Sequence, residues 1–179
     1  TLRLNSFDQA PPYARDDWEE ALSRIPLAVR EDWAETGTRM APGTDEPPSA
    51  SSEFSVFLVE RMHAAGVPIG AGTDTPIFLS IPGYSLHSEL EMLVKAGLTP
   101  LQALESATVR PAEFFSIQDR AGSIDVGKQA DMLLLDANPI DDIRNTKRIS
   151  AVVTKGSFMD RDDLQALIRA SSQASADMQ

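Results

Sequence analysis

Residues 67–72 read VPIGAG and run straight into Thr73-Asp74-Thr75-Pro76. A short apolar run bounded by turn residues is what a strand buried on both faces looks like. Pro68 fits near the start of such a strand, where a missing N–H costs least. A strand of this kind needs covering helices, and the flanking sequence offers them. Residues 53–65 carry helical spacing through Phe54, Phe57, Leu58, Arg61 and Met62, and Gly66 suits the C′ position. Downstream, Ser85 is expected to cap the helix LHSELEMLVKA, with Leu86, Leu90, Leu93 and Val94 as its core face and Gly97 as its end. Thr99-Pro100-Leu101-Gln102 is a compact start signal, with Thr at N-cap, Pro at N1 and Gln at N3. The helix LQALESATV follows, and Pro111 marks a break before AEFFSI. Helix, strand, helix, helix suits a parallel α/β arrangement.

Upstream, residues 16–35 predict one or two helices interrupted near Pro26, with Trp18, Leu22, Ile25, Val29 and Trp33 on one stripe. Residues 36–52, rich in Gly, Pro, Ser and Thr, read as a loop. After residue 120 the texture changes: GSIDVGKQADMLLLD reads as strand, turn, strand. ISAVVTKGSFMD repeats that pattern around a tight Lys155-Gly156 turn, with ANPIDDIRNTKR between them as a loop. The end predicts a short amphipathic helix trailing into a polar, mobile tail. These segments supply too few strands to close a sheet, even with TLRL at the start, and a half-built parallel sheet exposes unpaired edges. The chain is therefore expected to pair with another, or to be the C-terminal portion of a larger enzyme that supplies the missing strands.

The net charge of −11, with no basic stripe, argues against nucleic acid as a partner. No run approaches the roughly 18 apolar residues of a membrane span, and no signal peptide is visible. The absence of cysteine excludes disulfides and thiolate metal sites; it leaves the compartment undecided, with the cytoplasm favoured. With His63 and His87 the only histidines, a metal site must rely on carboxylates or on residues from elsewhere.

Asp74 is the first candidate for chemistry. A carboxylate at the C-terminal end of a buried parallel strand lies where α/β barrels place their active sites. There it can ligate a divalent metal or move a proton between water and a leaving group. The plainer alternative is a turn residue, since Asp before Thr-Pro is ordinary turn chemistry. The second Gly-Thr-Asp, ending at Asp45, lacks the apolar run and reads as loop. His87 falls in the first turn of its helix, where the dipole disfavours protonation; it is either a ligand-facing neutral imidazole or a partly exposed helix-start residue. His63, near a helix C-terminus, reads as structural, and Glu91 as an i,i+4 partner of Lys95. GAGTD lacks the third glycine of a dinucleotide loop and runs into Pro76 rather than a helix. No Gly-x-Ser-x-Gly nucleophile elbow is present.

Taken in order, AGVPIGAGTDTP, PGYSLHSELEMLVKAGLTPLQALESATVRPAEFF, AGSIDVGKQADMLLLDANPIDDI and ISAVVTKGSFMD resemble the amidohydrolase superfamily over about residues 54–160. The resemblance is to its imidazolonepropionase-like and Xaa-Pro dipeptidase-like metal-dependent hydrolases. It implies the C-terminal part of a (β/α)8 TIM-like barrel in residues 1–118, with VPIGAGTD as barrel strand 8 and TLRL as the tail of the preceding strand. Residues 119–161 would supply strands to a small composite β-sandwich, and residues 162–179 the helix and tail. Asp74 matches the aspartate that touches the metal and shuttles the proton from the hydrolytic water to the leaving amine. His87 falls near the barrel mouth, as a group that binds substrate or supports one that does. The resemblance further implies a divalent metal, zinc, and a small cyclic amide or dipeptide-like substrate. The family's remaining metal ligands have no counterpart in these 179 residues, so the chain alone is expected to be inactive. The competing expectation is a non-catalytic amidohydrolase-like module that forms homo-oligomers through its open sheet edges.

Overall fold

The computed structural model describes residues 19–22, 25–40, 50–75 and 80–177. Helix α1 (Glu19–Leu22) and helix α2 (Leu27–Met40) are separated at Pro26, as the sequence predicts. Helix α2 continues through residues 36–40, which the composition marks as loop, because no proline interrupts it before residue 42. TLRL, Trp18 and Asp45 lie outside the described residues.

Helix α3 (Ala50–Ala64) ends as expected at Gly66, whose φ of 76° only glycine adopts freely. Gly66 N donates to His63 O at 2.9 Å and Val67 N to Met62 O at 3.0 Å, the paired bonds of a Schellman end. Helix α4 (Tyr84–Lys95) closes in the same way at Gly97. Its start differs from expectation: the helix begins at Tyr84 after Gly83, without a side-chain cap. Ser85 instead accepts a hydrogen bond from Ile81 N at 2.8 Å, holding the approach to the helix. The expected cap at Thr99 is fully formed on helix α5 (Pro100–Ala107), with Thr99 and Gln102 satisfying each other's backbone N–H groups. Helix α6 (Val109–Phe114) follows directly.

The core joins α4 and α5 through Leu90, Leu93, Ala96, Leu98 and Ala103, with Ile143 from the C-terminal region closing it. Leu86 and Val94 are half-buried, and the buried face of α4 also carries Ser85, Ser88 and Glu89. That face is more polar than its leucine spacing suggests.

The β segments form one antiparallel sheet in the order β1 (Met132–Leu135), β2 (Ile149–Thr154), β3 (Ser157–Met159). The β2–β3 hairpin turns on Lys155 (φ 49°) and Gly156 (φ 81°), the double positive φ of a type I′ turn, as predicted. The strand expected before β1 is absent: residues 121–131 form turns, with Gly122 and Gly127 at positive φ. The expected loop between β1 and β2 contains a 3-10 helix, Ile143–Lys147, capped by Asp142. A bulge at Ser150 shifts the β1–β2 register between Leu134 and Leu135. Helix α7 (Arg161–Asp177) continues far into what the sequence reads as a polar tail, and residues 178–179 lie outside the described residues. No helix among the described residues is long and apolar enough to cross a membrane.

The largest departure concerns residues 67–74. They join no strand, and Val67, Pro68, Gly70, Gly72 and Asp74 are exposed rather than buried. A strand is defined by the ladder beside it, and no described strand lies alongside this run. Its backbone is tied instead to helix α5, through Ala71 N and Ser106 O at 2.9 Å. Its other flank borders a cavity of about 330 Å³ with Pro111, Phe114 and Phe115.

Candidate functional site

Asp74 ends a segment held at two points. At the first, Ile69 and Ala71 pack on the α4–α5 core, and the Ser106 contact fixes the chain against the last turn of α5. Ser106 is itself buried, its hydroxyl donating to Ala103 O at 2.6 Å. At the second, three hydroxyls close around Asp74. Ser80 Oγ, fully buried, donates to the Thr73 carbonyl at 2.7 Å. Thr75 Oγ1 donates to Ser80 Oγ at 3.2 Å. Thr73 and Thr75 hydroxyls lie 2.9 Å apart. Each hydroxyl has one proton; with that of Thr75 given to Ser80, Thr73 is the donor to Thr75. The ring therefore begins and ends on Thr73 and ties together the residues on either side of the aspartate.

Between its two pinned neighbours Asp74 has φ 56°, in the left-handed region. Aspartate tolerates this conformation better than most residues, because its short polar side chain avoids the clash a branched one would make. The carboxylate is exposed. The chemistry available to it is that of an accessible acid on an anchored backbone: accepting and returning a proton, or ligating a cation.

His87, in the first turn of α4, faces a different part of the molecule. Its Nδ1 lies 3.0 Å from Thr146 Oγ1 in the 3-10 helix. The Thr146 hydroxyl donates to Ile143 O at 2.9 Å, so it can only accept from His87, and the neutral imidazole carries its lone pair on Nε2. Burial, followed by the positive charge of Lys147, pulls the His87 pKa below the ordinary histidine value, with Glu91 opposing weakly. Glu91 Oε1 lies 2.8 Å from Lys147 Nζ across the α4–3-10 interface. Lys147 also stands over the Tyr84 ring, 5.6 Å from its centroid, and Tyr84 meets His87 edge-on at 6.1 Å. His87, Tyr84 and Lys147 line a cavity of about 670 Å³ with Ile81, Arg161 and Leu164.

Asp74 does not border that cavity, and no described hydrogen bond connects it to His87. Among the described residues no three of His, Cys, Asp and Glu are grouped to hold a metal ion. A catalytic zinc needs about three protein ligands, so the described residues do not by themselves fit one; Asp74 stands as a single donor. The hydroxyl ring of Thr73, Thr75 and Ser80 is not legible in the sequence, because hydroxyl residues around an aspartate are ordinary loop composition.

A small antiparallel sheet, helices packed on two apolar clusters, and a carboxylate at the end of an anchored glycine-rich run make up the described part of the chain. The chain belongs to the amidohydrolase family, whose profile matches residues 27–159. It is similar to the imidazolonepropionase of Streptococcus gordonii, 37% identical over 86 residues that make up 45% of this chain and 26% of that protein. Among solved structures it is similar to a Xaa-Pro dipeptidase with bound methionine, at TM-score 0.58 and 26% identity over 74% of this chain and 33% of the other. Bottromycin amidohydrolase shares the fold, at TM-score 0.74 and 22% identity over 97% of this chain and 38% of the other. The fold is accordingly mixed α/β of TIM-barrel type. The matched region spans about a quarter of the curated relative and about a third of each solved chain.

Proposed function

We propose that the intact protein containing this chain is a metal-dependent amidohydrolase that breaks a C–N bond in a cyclic amide or dipeptide-like substrate. One observation carries the proposal: within the region matched to the family, Asp74 presents an exposed carboxylate from a backbone pinned on both sides. In this reading Asp74 accepts a proton from the attacking water and delivers it to the departing amine. A general acid–base group must keep one position through both transfers, and an anchored segment serves that need better than a free loop. The cation, zinc in this proposal, takes its other ligands from parts of the intact protein beyond these 179 residues, so the isolated chain is expected to be inactive.

Residues 1–118 then belong to the barrel, and residues 119–161, which hold the three-stranded sheet, to a composite sandwich. Leu133 and Leu134 on β1 and Phe158 on β3 are 55%, 61% and 64% exposed, which supports further strands packing there. The same surface favours the second reading, a non-catalytic module that self-associates through its sheet edges. We keep His87 as a substrate-binding group, on the ground that it lines the 670 Å³ cavity with Tyr84 and Lys147; its Nδ1 also holds α4 against the 3-10 helix through Thr146.

The test is to assay the intact enzyme against imidazolonepropionate and a panel of Xaa-Pro dipeptides, before and after chelation. Hydrolysis that chelation abolishes and zinc restores supports the reading. No hydrolysis of any of these substrates, or hydrolysis indifferent to chelator, overturns it.

A further inference from the structure

We propose that the hydroxyl ring of Thr73, Thr75 and Ser80 is a positioning device for Asp74, with Ser80 as its anchor. The inference rests on the assignment of Asp74 as the proton-carrying group. Ser80 lies outside the Thr73–Thr75 triplet in sequence, yet its hydroxyl reaches back seven residues to the Thr73 carbonyl at 2.7 Å. That carbonyl belongs to the peptide unit leading into Asp74, so the bond sets the orientation of the plane on which the carboxylate is mounted. Thr75 Oγ1, 3.2 Å from Ser80 Oγ, fixes the residue on the other side. The Thr73–Thr75 contact at 2.9 Å closes the ring.

The consequences differ from those of ordinary packing. Ser80 is completely buried and spends its single proton on that carbonyl, with the Thr75 hydroxyl donating into its oxygen. Removing either hydroxyl releases one side of a backbone held at φ 56°. An aspartate free to relax from that conformation moves its carboxylate relative to the reacting atoms. The ring touches no part of the carboxylate in any described hydrogen bond, so it acts through backbone placement.

The experiment uses the intact enzyme and the best substrate from the panel above, with Ser80→Ala, Thr75→Val, Thr75→Ser and Asp74→Asn, and the double variants of Asp74→Asn with each hydroxyl deletion. Ser80→Ala and Thr75→Val are expected to lower kcat by about tenfold to a hundredfold, the cost of a displacement near one ångström, with KM within about twofold. Thr75→Ser, which keeps the hydroxyl, restores kcat. In the Asp74→Asn background the hydroxyl deletions cause no further loss, because the group they position is already gone. Should Ser80→Ala fail to fold, Thr75→Val and Thr75→Ser decide the question at a half-exposed site. If Asp74→Asn abolishes turnover while both deletions keep wild-type kcat, or if their losses add to that of Asp74→Asn, the ring has no positioning role. If Asp74→Asn itself turns over normally, the catalytic assignment fails and the positioning role falls with it.

Discussion

His87 Nδ1 and Thr146 Oγ1 meet at 3.0 Å across 59 residues of sequence, joining the first turn of α4 to the 3-10 helix ahead of β2. The contact ties the first turn of α4 to the segment leading into the sheet and requires a proton on Nδ1; burial and the Lys147 charge then favour the neutral ring over the imidazolium. Its pH dependence follows from the lowered pKa. As pH falls through about 6.5, the unfolded chain takes up a proton on this residue before the folded one does. The His87 contribution is therefore fully present above about pH 6.5 and is lost progressively as pH drops toward the folded value. Urea denaturation at steps between pH 7.5 and 5 is expected to show stability falling over this window. In His87→Asn, which keeps an N–H donor without titrating, the slope should flatten; an unchanged slope contradicts the assignment.

Gly122 occupies a place no other residue fits. Its φ is +91°, and a Cβ there would lie 2.6 Å from Ala112 Cβ and 2.9 Å from Thr108 O. Gly122→Ala is expected to destabilise the chain by about 2–4 kcal/mol, from overpacking together with left-handed strain. A Tm unchanged from wild type would show that the 121–123 turn does not pack on α6 as described.

The capping box at Thr99 is local and separable. Thr99→Ala removes the acceptor for Gln102 N and is expected to cost about 1 kcal/mol. Thr99→Ser, which keeps the oxygen, should restore most of that stability; equal losses in both variants would mean that the cap contributes nothing.

The donor set makes a further prediction. With Asp74 the lone candidate ligand and no cluster among the described residues, the purified 179-residue chain should retain well under one equivalent of zinc after desalting. Stoichiometric, tightly bound zinc would contradict the view that the remaining ligands come from elsewhere.

Features written in neighbouring residues were legible in the sequence. Thr99-Pro100-Leu101-Gln102, the Gly66 and Gly97 ends and the Lys155-Gly156 turn each carry their geometry within four or five residues. Features that depend on a partner were not. VPIGAG has the composition of a buried strand, but a ladder needs a neighbour, and its described backbone bonds go to Met62 at the end of α3 and to Ser106 in α5. Ser85 has the right chemistry for a cap, yet its oxygen serves Ile81 N, because the helix starts two residues earlier than the leucine pattern implies. ANPIDDIRNTKR reads as loop by composition, and it turns helical where Ile143 finds the α4–α5 core. The same division holds at the candidate site. Asp74 stood out because it terminates an apolar run. The reach of Ser80 back to Thr73 and the pairing of His87 with Thr146 are tertiary facts with no local signature.

The central claim is that Asp74 carries the proton in C–N bond hydrolysis, and kcat of Asp74→Asn in the intact enzyme tests it most directly. Asparagine keeps the size and tolerates the left-handed backbone but cannot shuttle a proton. We expect kcat to fall by about a hundredfold to ten-thousandfold, the usual contribution of a general acid–base group, with the thermal midpoint close to wild type. A kcat within a few fold of wild type in a folded, metal-replete Asp74→Asn enzyme would contradict the claim.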